Sequence, residues 1–178
     1  MGEQVTSKTS TPSKRIIIAG GGLAGLSTSL GLAKLGYTVS VIECRKEWLQ
    51  QGSAFGLAAN GRKALKALFH SPTSLEKLLE NGIYIEAYDS YMMLWFMLRD
   101  ALLEEVQMCS LIEIHTGKVV ESIDDSTDTS HVNVTIRDIE SGKSEKLNAL
   151  LLVAADGVYS NIRTLLGLES AKVSSRPF

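Results

Sequence analysis

A cluster of glycines follows three aliphatic residues in the stretch IIIAGGGLAGL, close to the start of the chain. Gly20, Gly22 and Gly25 form the pattern G-x-G-x-x-G. In such a pattern the first glycine permits a tight turn out of a strand, and the second lets a diphosphate approach the backbone. The third, here beside Ala24, lets a helix pack closely on the strand. The spacing therefore predicts a turn that binds a dinucleotide.

The residues around this turn support the same chemistry. A helix beginning at Leu23 would present the free N–H groups of its first residues, Leu23 and Ala24, to the phosphates. Glu43 ends the next apolar run, where a carboxylate can accept hydrogen bonds from a ribose. A carboxylate disfavours a 2′-phosphate, which indicates NAD or FAD and leaves that choice open. The alternative is a glycine turn that only packs tightly, with Glu43 as a surface residue.

Two later segments also carry polar residues at defined spacing. Asp156 and Gly157 open the pattern D-G-x-x-S-x-x-R directly after the apolar run LLVAA, and Arg99 opens R-x-x-L at the start of a predicted helix. Each has a structural alternative, because Arg99 suits a solvent-facing cation and Asp156 and Ser160 suit helix caps. Trp95 and the methionines near it are interpreted as core residues.

Taken together, GGGLAGL…VIE, NGRKAL, R-x-x-L and LLVAADGVYSNIR resemble the FAD-dependent aromatic-ring hydroxylase and epoxidase family, the single-component flavoprotein monooxygenases. The resemblance implies that the three glycines face the pyrophosphate of FAD and that Glu43 faces the adenosine ribose. It implies that Arg99 contacts the phosphate–ribose region and that Arg45 lies near the adenine. Asp156 and Gly157 would form the segment associated with both FAD and the pyridine nucleotide.

The resemblance also implies an activity. FAD, reduced by NAD(P)H, would use O₂ to hydroxylate or epoxidise a small organic substrate, and no catalytic residue is assigned. The resemblance covers residues 14–168 and lacks the later G-D-A-A-H-type segment of the family. The alternative is a truncated FAD-binding module or pseudoenzyme whose open face a partner covers. An NAD-dependent dehydrogenase domain is a third reading, against which the β-rich stretch before LLVAADG argues.

The order of elements predicts the fold that would position these residues. Apolar runs predict buried strands at residues 14–19, 38–42 and 150–154. Helical spacing predicts helices at residues 23–35, 58–69, 74–79, 96–107 and 160–166, the second capped by Asn60 and ended by Pro72. Short strands at residues 111–115, 118–122, 131–138 and 144–149 predict an antiparallel ribbon. The prediction is an α/β fold: a Rossmann-like parallel sheet with an inserted antiparallel β ribbon, forming an incomplete FAD-binding domain over residues 14–168.

Composition narrows the function classes and the compartment. The chain has 178 residues, a formal net charge of −2 and no block of like charge, which argues against a nucleic-acid surface. Two cysteines and three scattered histidines predict neither disulfides nor a metal site, and suit the cytoplasm. No apolar run is long enough to span a bilayer. Residues 1–13 are predicted to be a disordered tail and residues 169–178 a polar tail. Gly2 and Thr6 fit a myristoylation pattern, and organelle targeting stays open.

Overall fold

The structure is a computed structural model that describes residues 14–124 and 130–168. The predictions for residues 1–13 and 169–178 lie outside the described residues. The helices are α1 (Leu23–Lys34), α2 (Ala59–Leu68), α3 (Pro72–Glu80), α4 (Trp95–Gln107) and α5 (Asn161–Leu165). The strands are β1 (Arg15–Ala19), β2 (Thr38–Glu43), β3 (Ala54–Ala58), β4 (Ile83–Ile85), β5 (Ser90–Leu94), β6 (Ile112–Thr116), β7 (Lys118–Asp124), β8 (Val132–Asp138), β9 (Ser144–Ala149) and β10 (Leu151–Ala154).

A four-stranded parallel sheet with the order β10-β1-β2-β6 organises the fold. Alternate side chains of β1 point to opposite faces, and both faces are covered. Ile16 and Ile18 pack with β2 residues on the face that α1 covers, whereas Ile17 and Ala19 pack beneath the antiparallel ribbon and α5. Burial on both faces explains the unbroken aliphatic run of β1. The predicted α/β fold with a parallel sheet and an antiparallel ribbon is confirmed.

The antiparallel ribbon contains three strands in the order β7-β8-β9, not the four that were predicted. The strand predicted at residues 111–115 is β6, and it pairs in parallel with β2. Its polar side chains, Glu113 and His115, alternate with Ile112 and Ile114, as in an antiparallel strand with one solvated face. That alternation arises instead because β6 is an edge strand whose isoleucines pack on the core beside β2. The ribbon begins one strand later than the sequence indicated.

The strand predicted at residues 150–154 is present as β10, but it is not buried on both faces. Leu151 is 51% exposed, although its neighbour Leu152 packs against the ribbon core. Among the described residues β10 pairs only with β1, so it is an edge strand of the parallel sheet. The apolar run predicted the strand correctly, and its position at the edge explains the exposure.

A second antiparallel sheet, with the order β3-β5-β4, was missed. Its central strand β5 lies in the apolar run YMMLWFML, which continues without interruption into helix α4. The run therefore has no break in its pattern at Leu94, where the strand ends. A 3₁₀ turn and Asp89, whose φ of 42° is left-handed, reverse the chain between β4 and β5. Neither feature has a glycine to mark it in the sequence.

The boundaries of α2 and α3 also differ from the prediction. Asn60 lies inside the first turn of α2, where its Oδ1 accepts a hydrogen bond from Gly61 N, and Ala58 is the N-cap. Pro72 does not end a helix but begins α3. The Oγ of Ser71 caps that helix by accepting from Thr73 N at 3.3 Å. Proline suits a first helical position because its missing N–H has no intrahelical partner there.

Glu105 links α4 to the start of α3. Its hydrogen bonds predict a contribution to folding stability that is lost in acid. The residue is fully buried, and its Oε2 accepts a hydrogen bond from His70 N at 2.6 Å. Burial acts to raise the pKa of this carboxyl, but hydrogen bonds from Ser74, His70 and Ser71 hold the pKa below its ordinary value of 4.5. Stability from Glu105 is therefore present above that value and lost as the pH falls through the lowered pKa.

We expect Glu105→Gln to lower the free energy of unfolding by about 1–3 kcal/mol at neutral pH, because the charged acceptor is lost. The gap between the variant and the wild type should narrow on acidification. Urea unfolding at neutral and acid pH measures this, with Glu104→Gln as the matched control, since Glu104 is the adjacent, exposed residue. Equal losses in the two variants would contradict the prediction.

Candidate functional site

A cleft of about 340 Å³ opens at the carboxyl ends of β1, β2 and β10. This is the edge of a parallel sheet where ligands bind in open α/β folds. The structure brings together seven of the residues singled out in the sequence, which line the cleft: Gly20, Gly22, Glu43, Arg45, Arg99, Asp156 and Gly157. They come from four separate segments of the chain, so the fold assembles them into one site.

The three positions of the motif require glycine for different reasons. A Cβ on Gly25 would lie 1.9 Å from the carbonyl oxygen of Gly20, so the close approach of α1 to β1 requires glycine there. Gly20 has a φ of +102°, and a Cβ would lie 2.4 Å from Ala155 O. A Cβ on Gly22 would meet no atom of the described residues within 4 Å. Gly22 thus leaves open a space in the cleft that the fold itself does not fill.

Helix α1 begins at this open space. Gly22 is its N-cap and offers no side chain, and Leu26 N makes the first helical hydrogen bond, to Gly22 O at 2.9 Å. The N–H groups of Leu23, Ala24 and Gly25 precede that bond and are the natural donors for an anion. The side chains of Leu23 and Ala24 do not line the cleft, because Leu23 packs on the helical core and Ala24 is exposed. Any contact from this turn is therefore made by the backbone.

Glu43 joins the glycine turn to the end of β2. It is 8% exposed, and its Oε2 accepts a hydrogen bond from Gly21 N at 2.7 Å. Its Oε1 accepts from Arg45 N at 2.8 Å. The interpretation of Glu43 as a plain surface glutamate is therefore wrong. The Cys44 thiol also donates to Oε1, at 3.4 Å. A carboxylate has about four acceptor sites, so Glu43 keeps capacity for a ligand hydroxyl while it holds the turn.

Arg99 is a buried cation in the wall of the cleft. Its residue exposure is 2%, so the solvent-facing alternative is wrong. Its Nη1 donates to Leu49 O at 2.6 Å, and Nε and Nη2 donate to Asp100 Oδ1 at 2.8 and 2.5 Å. The guanidinium carbon lies 5.7 Å from the ring centroid of Trp48 and 5.6 Å from that of Trp95. The positive charge is thus held in a defined place.

Asp156 and Ser160 have the capping roles that the sequence suggested as an alternative. Asp156 Oδ2 accepts from Ile162 N at 3.0 Å, and Ser160 Oγ accepts from Arg163 N at 3.0 Å. Asp156 nevertheless lines the cleft, as does Gly157, whose φ of +81° favours glycine. Capping of α5 therefore places this turn at the cleft.

Sequence reasoning missed Trp48 and assigned Trp95 to the core. Both side chains line the cleft and lie against Arg99. Cys44, also in the wall, is an exposed free thiol. Although the residue is exposed, partial burial of its thiol raises the pKa of Cys44, and the neighbouring charge of Glu43 raises this pKa further. The only sequence signal for Trp48 and Cys44 was that they follow Glu43 closely in the chain. Such proximity does not show where a loop side chain points.

Two further properties bear on the class of protein. Within residues 14–124 and 130–168, no three side chains of His, Cys, Asp or Glu are arranged to hold a metal ion. None of the helices in that part of the chain combines the length and apolar character needed to cross a membrane.

The glycine turn after β1, the acid at the end of β2 and the turn after β10 meet in one cleft, and an antiparallel ribbon covers the sheet. These features define a dinucleotide-binding α/β domain. Residues 89–177, half of the chain, match the family model described as FAD binding domain. The chain belongs to this FAD-binding family, and the predicted cofactor FAD is confirmed at that level.

Curated relatives extend the similarity over most of the chain. A kynurenine 3-monooxygenase of Salinispora tropica is 29% identical over 173 residues, covering 84% of this chain and 37% of the relative. Monooxygenase 2 of Arabidopsis thaliana is 30% identical over 169 residues, covering 90% of this chain and 42% of the relative. The chain thus spans about two fifths of the length of these relatives. The resemblance to flavoprotein monooxygenases is confirmed.

Solved structures show the same fold. The p-nitrophenol 4-monooxygenase PnpA from Pseudomonas putida superposes with a TM-score of 0.71 at 20% identity, over 86% of this chain and 43% of that protein. The flavin-dependent monooxygenase PieE, determined in complex with FAD and substrate, superposes with a TM-score of 0.67 at 18% identity, over 88% of this chain and 33% of that protein. At these identities the similarity concerns the fold.

Proposed function

We propose that this chain is the FAD-binding part of an NAD(P)H-using monooxygenase that hydroxylates or epoxidises a small organic substrate with O₂. The observation that carries the proposal is the open space at Gly22, in a cleft that also contains Glu43 and Arg99. An uncovered backbone at a helix N-terminus, directly after a glycine turn, is the arrangement that binds the diphosphate of a dinucleotide. The compartment we propose is the cytoplasm, in keeping with two free cysteines.

The residues present fit the adenosine diphosphate half of FAD. The diphosphate would lie at Gly22, facing the first N–H groups of α1, with the buried cation Arg99 nearby. Glu43 would accept hydrogen bonds from the ribose hydroxyls, and its nearly buried charge would disfavour a 2′-phosphate. Arg45 would lie near the adenine, and Asp156 with Gly157 would border the cofactor from the turn after β10.

When bound, FAD supplies the redox chemistry through its isoalloxazine ring. The part of the chain that the structure describes would bind and orient the cofactor. Glu43 holds the glycine turn in place, and the indoles of Trp48 and Trp95 lie against the guanidinium of Arg99. These residues neither accept nor donate a proton in the proposed oxygen transfer.

Titration of the purified chain with FAD tests the proposal. We expect a bound-flavin absorbance spectrum and protection of Cys44 from alkylation, because Cys44 lines the cleft. Labelling should be done at alkaline pH, since the pKa of this thiol is raised. Cys109 is the internal control, because it lies outside the cleft and should label equally with and without FAD.

Competition sharpens the test. ADP should displace FAD, because it carries the groups that the cleft would contact. In contrast, 2′-phospho-ADP-ribose should compete poorly with FAD, because the charge of Glu43 would repel its 2′-phosphate. A folded chain with no spectral change and no protection of Cys44 at millimolar FAD would contradict the proposal. Equal protection of both cysteines would also count against it, because it would indicate a general change in folding.

A further inference from the structure

Trp48 bridges two parts of the cleft that are distant in sequence. A Cβ added to Gly21 would lie 2.6 Å from the ring carbon Cη2 of Trp48. The indole therefore packs directly on the glycine turn. The same ring lies 5.7 Å from the guanidinium carbon of Arg99. Trp48 therefore sits between the turn that would hold the diphosphate and the cation that would neutralise it.

Arg99 needs such support if it is to act at a fixed point. An arginine side chain has several rotatable bonds, and holding it in one rotamer costs conformational entropy. Three of its five N–H groups are used by Leu49 O and Asp100 Oδ1, which leaves two for a ligand. The Asp100 side chain is itself 40% exposed, so water screens this ion pair and weakens its hold on the guanidinium. The flat indole of Trp48 lies beside the guanidinium and restricts it further, in addition to these hydrogen bonds.

Trp95 contacts the same guanidinium, but it has a separate structural duty. The backbone N–H of Trp95 donates to Ser53 O at 3.1 Å, and its Cβ lies 2.8 Å from where a Cβ on Gly52 would be. Trp95 therefore holds the loop between β2 and β3 against the start of α4. Trp48 makes no such hydrogen bond with the part of the chain that the structure describes and meets Arg99 through its ring, so its effect on Arg99 can be tested more cleanly.

We propose that Trp48 is a positioning residue for Arg99 and that it sets the affinity of the cleft for the diphosphate of FAD. The proposal rests on the proposed function. Trp48 packs on Gly21 and also meets the cation, so it links the position of Arg99 to that of the glycine turn. A cation–π contact is strongest when the partners are partly desolvated, as they are here.

A double-mutant cycle on the full 178-residue chain tests this, with FAD affinity measured by calorimetry. We expect Trp48→Ala to weaken FAD binding about five- to thirtyfold, the range of a partly desolvated cation–π contact. Arg99→Ala should weaken it about ten- to hundredfold. Adding Trp48→Ala to Arg99→Ala should cause little further loss, because Trp48 acts through the arginine.

Two variants separate positioning from simple packing. Trp48→Phe keeps an aromatic face and should recover most of the affinity. Phe55→Ala removes an aromatic side chain that packs against the same helical core but does not line the cleft. It should lower the unfolding temperature without changing the affinity of the folded protein for FAD. A purely structural role for Trp48 would give the pattern of Phe55→Ala.

The outcomes distinguish this inference from the proposed function. If the folded wild type does not bind FAD, the proposed function fails and this inference fails with it. If the wild type binds and Arg99→Ala weakens binding, but Trp48→Ala binds as well as or more tightly than the wild type, only the inference is overturned. Additive losses in the double variant would likewise overturn it, because Trp48 would then contact the ligand independently of Arg99.

Discussion

Replacing Gly22 with glutamate is expected to abolish FAD binding and to leave the chain folded. A Cβ at this position meets no atom of the described residues within 4 Å, and the backbone has an ordinary extended conformation with a φ of −73°. The new side chain would therefore occupy the space assigned to the diphosphate. A carboxylate about 4 Å from a phosphate costs on the order of 4 kcal/mol at a protein surface, which is about a thousandfold in affinity.

Calorimetry with FAD and thermal unfolding of the same samples measure both parts of this expectation. Leu35→Glu is the matched control, because it adds the same charge at the far end of α1, at a residue that is 75% exposed. It should bind FAD as the wild type does. Gly22→Ala should fall between the two, since a methyl group takes up space but adds no charge. FAD binding by Gly22→Glu within tenfold of the wild type would show that the diphosphate lies elsewhere.

Replacing Gly25 with alanine should have the opposite signature, a large loss of stability. The added methyl carbon would lie 1.9 Å from Gly20 O and 3.0 Å from Gly20 C, and both atoms belong to the backbone of the turn. Helix α1 would have to move away from β1, which would open the core around Leu26 and Ile18. Overpacking of this kind costs about 3 kcal/mol or more when the obstructing atoms are backbone.

The matched control lies in the same helix. A Cβ on Gly31 would lie 3.7 Å from Leu68 Cδ2, which is an ordinary contact. Gly31→Ala should therefore stabilise the chain by about 0.5–1 kcal/mol, because alanine loses less backbone entropy than glycine in a helix. Chemical denaturation of the three proteins measures the differences. Unfolding of Gly25→Ala at the same denaturant concentration as Gly31→Ala would mean that α1 does not approach β1 as closely as described.

Gly22 and Gly25 show that one short motif can contain one glycine that the ligand requires and another that the fold requires. Gly25 and Gly20 are needed whether or not a cofactor binds, because their Cβ atoms would strike the backbone. Gly22 has no such need within the described residues. Variants at the three positions therefore separate folding from binding, a separation that the shared pattern G-x-G-x-x-G does not make.

Local features could be read from the sequence because their physical causes are local. The aliphatic run of β1, the glycine turn, α1 and β2 follow one another within thirty positions, and each boundary has its own marker. Glycine spacing and the acid at Glu43 indicated a dinucleotide. The segment from Asp156 to Arg163, together with the other motifs, resembles a flavoprotein family, and that resemblance implied FAD. The α/β class followed from the order of these elements. These predictions needed no knowledge of contacts between distant residues. The one exception was the expectation that these elements meet at one edge of the sheet.

Contacts between distant residues were decided only by the tertiary structure. The partner of β6 is β2, more than sixty positions earlier, and no local pattern distinguishes that pairing from an antiparallel ribbon. The sheet β3-β5-β4 was hidden because a strand and a helix share one apolar run. The placement of Trp48 against both Gly21 and Arg99 depends on a loop, whose side-chain directions have no periodicity. The local spacing thus indicated a dinucleotide and the resemblance of the local motifs implied FAD, whereas the arrangement that would hold its phosphates arose from packing between segments far apart in the chain.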